Sequence, residues 1–119
     1  MVEIKDVSKD YISGVDFDGV KLSFNYYDEE SGEDRNVEIL YGYSLVDKYE
    51  YSEDELSELE DEGYEIEEDV VLMPTVMVLF DGALDYEESD VDINRLLDKV
   101  VERYGDLLPA EELGDLLYW

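Results

Sequence analysis

Apolar residues in the first part of the chain recur at every second position. From Val15 to Val20 and on through Leu22, Phe24 and Tyr26 they alternate with Lys21, Ser23 and Asn25, which is the period of a strand with one buried face. The turn-forming run Glu30-Ser31-Gly32-Glu33-Asp34 follows, and Val37, Ile39, Tyr41 and Tyr43 then alternate with Glu38, Gly42 and Ser44. This predicts a β-hairpin with a long loop. Val2, Ile4 and Val7 suggest a further short strand or a turn. Tyr26, Tyr41 and Tyr43 are expected on the sheet and in its core.

The period changes at Ser52. Ser52 with Glu55 has the form of a capping box, Glu53 and Asp54 would occupy the first helical turn, and Gly63 is a C-cap. This helix offers only Leu56 and Leu59 to a core. Val70 to Phe80 is almost wholly apolar and rich in valine, the signature of a strand buried on both faces, with Pro74 marking a bulge or an edge position and Asp81-Gly82 ending it. Ile93, Leu96, Leu97, Val100, Val101 and Tyr104 then recur with helical spacing. Ser89, Asp90 or Asp92 can cap that helix, and Gly105 closes it. A last short helix is expected from Pro109, with Leu113, Leu116 and Leu117 facing inward and Tyr118 and Trp119 packing on the sheet. Self-association through those two rings, giving a homodimer, is the other option, and the oligomeric state stays open. The whole reads as one α+β domain over residues 1–119: an antiparallel sheet of about three to five strands, packed on one face by two or three short helices.

Charge changes this picture more than any other property. Thirty-six acidic residues against eight basic ones give a net charge of −28. Yet 45% of the residues are apolar and patterned, so a fold rather than a disordered chain is expected. Such a surface repels nucleic acid and anionic membrane and attracts basic proteins. The expected partner is a basic nucleic-acid-binding protein, with no direct nucleic-acid or membrane contact.

The chain has no cysteine and no histidine. That removes disulfides, Cys or His metal sites, Ser-His-Asp and Cys-His nucleophile systems and the usual general base near neutral pH. No Gly-rich phosphate loop or nucleophile elbow is present. Asp16-x-Asp18-Gly19 and the run Asp81 to Asp92 offer oxygen ligands, but neither fits an EF-hand loop, and each reads as a turn. The expectation is a protein without enzymatic activity, cofactor or metal. The N-terminus lacks the basic and apolar regions of a signal peptide, which favours a cytoplasmic location.

From Tyr49 to Asn94 there is no Lys or Arg. Within that stretch Glu50, Glu53, Asp54, Glu55, Glu58, Glu60, Asp61, Glu62, Glu65, Glu67, Glu68 and Asp69 crowd the short helix and its flanks. An ordinary solvated helix interleaves opposite charges four residues apart, and this one does not. If helical, its carboxylates recur roughly every 2 to 2.5 Å along the axis, near the one charge per about 1.7 Å of duplex DNA. In composition the chain resembles the DNA mimics: small, very acidic inhibitors, typically phage-encoded, of restriction enzymes, CRISPR effectors, DNA glycosylases or nucleoid proteins. The resemblance implies a non-enzymatic inhibitor that fills the basic groove of its target. Tyr49, Tyr51, Tyr64 and Tyr86, dispersed among the acids, would serve as interface anchors. Two other readings rest on the same charge: an immunity protein covering a basic nuclease toxin, and a halophilic acidic domain without a partner.

Overall fold

The computed structural model describes residues 4–105. Its chain runs β1 (Ile4–Ser13), β2 (Phe17–Asp28), β3 (Glu33–Asp47), a single 3-10 turn (Lys48–Glu50), α1 (Glu53–Glu62), β4 (Glu65–Ile66), β5 (Val70–Phe80), β6 (Ala83–Ser89) and α2 (Ile93–Tyr104). The strands form one antiparallel sheet in the order β1-β2-β3-β5, with β4 and β6 sharing the far side of β5. The fold class is α+β, as the patterning predicts. The helix expected from Pro109, with Tyr118 and Trp119, lies outside the described residues.

Among the described residues six strands form where three to five are expected. β6 falls in the run Asp81 to Asp92, whose acidic residues read as a turn. Only Asp81 and Gly82 turn, both with positive φ, and the chain then pairs with β5 from Ala83 to Ser89. β1 extends far past Val7, because its residues hydrogen-bond to β2 while both faces stay largely exposed, so no alternation of polarity is required. The hairpin loop is short: four residues, 29–32, separate β2 and β3. Asp28 accepts from Glu30 N–H at 3.0 Å, and Gly32, at φ +71°, closes the turn onto Asp28 O at 2.8 Å.

The core lies on one face of the sheet. Val20, Leu22 and Phe24 of β2, Val37, Ile39 and Tyr41 of β3, and Val76 and Val78 of β5 are buried together with Leu96, Leu97, Val100 and Tyr104 of α2. Burial of each such side chain stabilises by about 1.5–3 kcal/mol relative to exposure, which offsets the self-repulsion of the chain. No residue of β5 is exposed, and Pro74, Thr75 and Val76 are buried in succession, but Met77 and Leu79, which alternate with the buried Val76 and Val78, are only half-buried. Pro74 occupies an edge position and no bulge, since β3 and β5 pair without a register shift. Its carbonyl accepts from Asp90 N–H on the outer side of β5. Its missing donor therefore falls in the gap where β4 ends and β6 begins. Tyr26 and Tyr41 are buried as expected; Tyr43 is 41% exposed, beyond the reach of the core.

Asp92 caps α2 by accepting from Asn94 N–H at 3.0 Å, and Gly105 keeps right-handed helical geometry, so it does not form a left-handed cap. The molecule is elongated, 53 × 23 × 23 Å with a radius of gyration of 16.1 Å, against about 13 Å for a compact domain of this size. Three long strands set the long axis. One end, called upper below, carries the β2–β3 and β5–β6 turns. The lower end carries the β1–β2 turn, the 3-10 turn, α1 and β4.

Candidate protein-binding surface

α1 forms where the sequence places it. Ser52 Oγ accepts from Glu55 N–H at 3.3 Å, Glu55 Oε1 accepts from Ser52 N–H at 3.5 Å, and Gly63, at φ +107°, ends the helix in the left-handed cap. Leu56 and Leu59 are only half-buried, and no α1 residue joins the main core. The helix is held to the sheet through β4, which follows it and pairs with Val71 and Leu72. α1 thus projects from the lower end as an ordered appendage.

All twelve sequence-predicted acids, from Glu50 to Asp69, are exposed, and Asp47 beside them is exposed as well. Lys48 is the one basic residue among positions 47–69. In the first turn of α1, Glu53, Asp54 and Glu55 complement the positive helix end. Glu60, Asp61 and Glu62 stand at the negative end, where no basic residue accompanies them and where a carboxylate is unfavourable. Seven acids over the ten residues of α1, at about 1.5 Å rise each, give one carboxylate per roughly 2 Å of axis.

Four of the eight basic residues form ion pairs, all outside positions 47–69. Lys5 pairs with Asp34 at 3.0 Å, Lys21 with Glu38 at 3.4 Å, Lys99 with Glu88 at 2.7 Å, and Arg35 with Asp28 and Asp81 at 3.6 and 3.1 Å. Among the described residues no ion pair involves positions 47–69. These ion pairs therefore lie in the upper end and middle, where five carboxylates have a cationic partner, and none lies at the lower end. The Asn36 N–H and the Arg35 guanidinium hold Asp81 below the usual carboxylate range, against partial desolvation, and Lys99 and the Tyr86 hydroxyl do the same for Glu88.

The tyrosines divide. Tyr49 is 80% exposed, and Tyr51 and Tyr64 are half-buried beside the acids. Burial raises the Tyr64 pKa, with Glu62, Asp90 and Tyr51 adding to the effect. Tyr86 belongs to the core margin: its ring meets Tyr104 edge-on at 6.4 Å, Arg103 lies 4.8 Å from its centroid, and its hydroxyl donates to Glu88. It is therefore a structural residue between β6 and α2.

A cleft of about 670 Å³ at the lower end was not foreseen. Val15 and Asp16 of the β1–β2 turn, Leu45, Val46 and Asp47 of β3, Tyr49 and Glu50 of the 3-10 turn, and Asp69 and Val70 at the start of β5 line it. Backbone bonds from Leu45 N to Asp16 O at 2.8 Å and from Lys48 N to Asp69 O at 2.9 Å bring these segments together. They are distant in sequence, and no local pattern marks them. Among the described residues no group of acids has the geometry to hold a metal ion, and no helix is long and apolar enough to cross a membrane. No family model matches the sequence, and neither a curated protein nor a solved structure is similar to it.

Proposed function

We propose that this protein is a non-enzymatic mimic of nucleic acid, an inhibitor that occupies the basic groove of a nuclease, CRISPR effector, restriction enzyme or other DNA-binding protein in the cytoplasm. The observation that carries the reading is the lower end. Thirteen exposed carboxylates between Asp47 and Asp69 face one lysine, without internal ion pairs, on a capped helix and hydrogen-bonded turns. Charges held in place in this way can fill Lys/Arg subsites and release the counterions bound there, as a phosphate backbone does.

The shape supports the same reading. Residues 4–105 hold thirty-one acidic and eight basic residues, so twenty-three net negative charges lie along a 53 Å axis. That is one per about 2.3 Å, against one per about 1.7 Å in duplex DNA. A coat that only keeps a protein soluble in salt has no need to confine its ion pairs to one part of the molecule and leave positions 47–69 without any.

The test is displacement of a fluorescent duplex from a panel of such enzymes, followed by anisotropy at low and high salt. The wild-type chain is expected to displace the duplex from at least one of them. Reversal of Glu58, Glu60 and Glu62 to Lys abolishes this, whereas reversal of Glu29, Glu30 and Glu33 at the upper end leaves most of it. Equal losses from both sets, or no displacement anywhere, overturn the reading. Tight binding to a single nuclease, unaffected by added duplex, identifies an immunity protein instead.

A further inference from the structure

The lower cleft is more than a place where acids gather. Val15, Leu45, Val46 and Val70 make the apolar part of its wall, a little more than half of it, and its rim carries two of the most exposed large hydrophobic residues among the described ones, Val15 at 90% and Tyr49 at 80%. Isolated exposed apolar residues are ordinary. Here two from separate turns flank one concavity, with Asp16, Asp47, Glu50 and Asp69 around it. Asp16, Glu50 and Asp69 pair with no cation among the described residues, and Asp47 Oδ1 accepts from Tyr49 N–H at 3.0 Å, which fixes the rim turn.

From this geometry we infer that the cleft is a socket for one arginine side chain of the basic partner. The inference rests on the mimic reading for the partner's charge. An apolar wall suits the methylene stem of a long cationic side chain, whose head stays at the wet rim. Carboxylates at the rim complement that head. The guanidinium is favoured over an ammonium on three counts: it engages carboxylates through paired donors, it is more weakly hydrated, and it stacks on an aromatic face such as Tyr49. The volume is within the range of clefts that bind small groups, about 300–1,000 Å³. In the mimic, α1 would then supply the long-range field, and the socket would fix the register of the complex.

The experiment titrates N-acetyl-arginine amide into the isotope-labelled full chain at low ionic strength and follows methyl and aromatic resonances. Saturable shifts centred on Val15, Leu45, Val70 and Tyr49 are expected, and the lysine analogue should bind about 2- to 5-fold more weakly, as loss of stacking implies. Tyr49→Ser keeps the charge of −28 and alters an exposed side chain, so the fold survives; it should weaken the arginine probe by a similar factor. Shifts spread over α1 without saturation at the cleft, or equal binding of the two analogues, overturn the socket. Those outcomes leave duplex displacement untouched, and a failed displacement with a saturable cleft would retire the mimic while keeping the socket.

Discussion

Gly19 and Gly42 oppose each other across β2 and β3 with their backbones in contact. A Cβ on Gly42 would lie 2.5 Å from Gly19 Cα and 2.5 Å from Asp18 O, and one on Gly19 would lie 2.4 Å from Tyr41 O. Neither position has room for a methyl group unless the strands separate. Gly42→Ala is therefore expected to destabilise the fold by about 1–3 kcal/mol through overpacking, lowering Tm by roughly 4–8 °C for each kcal/mol. Thermal and urea denaturation measure this. Unchanged stability would mean that the backbones do not close up at this point.

The two ends of α1 carry acids of opposite effect on the helix. Glu53, Asp54 and Glu55 serve the helix N-terminus, whereas Asp61 and Glu62 oppose the dipole at its C-terminus. Asp61→Lys with Glu62→Lys should raise stability by a few tenths of a kcal/mol to about 1 kcal/mol and at the same time weaken displacement of DNA from a basic target. A gain in stability with full binding would assign these acids no role in recognition. Ser52→Ala acts in the opposite way: loss of the capping box should cost about 1 kcal/mol of helix stability, visible as faster amide exchange over α1.

The sequence makes plain whatever depends on a local period. The β2–β3 hairpin, the capped acidic helix and α2 follow from alternation, from Ser52 and Glu55, and from the spacing of Ile93 to Tyr104. β6 is hidden because a register shift between Leu84 and Tyr86 breaks its alternation and Glu88 takes the next position on the side of Tyr86, and what makes it a strand is the free side of β5 left beyond Pro74. β1 is hidden for a related reason: an edge strand can be polar on both faces. The ion pairs of the upper end are equally illegible, since Lys5–Asp34 and Arg35–Asp81 pair residues joined only by strand register. The cleft needs four segments at once. Charge density is a property of sequence, but which charges remain unpaired is a property of the fold.

Three phenols should report alkaline unfolding. Burial pushes Tyr41, Tyr86 and Tyr104 up to about 12, with hydrogen bonds to Glu88 and Asp85 adding to the rise for Tyr86 and Tyr104. A raised folded pKa contributes stability that is complete below the unfolded value of about 10 and is lost as pH climbs through the folded one. The protein should therefore lose stability between about pH 10 and 12. Spectrophotometric titration should show these three tyrosines ionising together with the loss of ellipticity. Their ionisation near pH 10 in a folded protein would contradict the burial.

Acid should act in two opposite stages. As pH falls from 7 towards the isoelectric point of about 4.1, protonation of carboxylates relieves the repulsion within a chain of charge −28, and stability should rise. Asp81 and Glu88 work the other way. Their pKa values are depressed in the fold by Asn36 N–H and Arg35 and by Lys99 and Tyr86, respectively, so their contribution is present above the unfolded carboxylate range and disappears as pH drops through their folded values. Stability should thus peak on the acid side of neutrality and fall below about pH 4. Urea midpoints measured across this range give the curve, and Glu88→Gln, which removes one depressed group, should flatten its acid limb. A steady decline from pH 7 downward would mean that specific pairs outweigh the self-repulsion of the acidic surface, and the unpaired lower end would then be no burden on the fold.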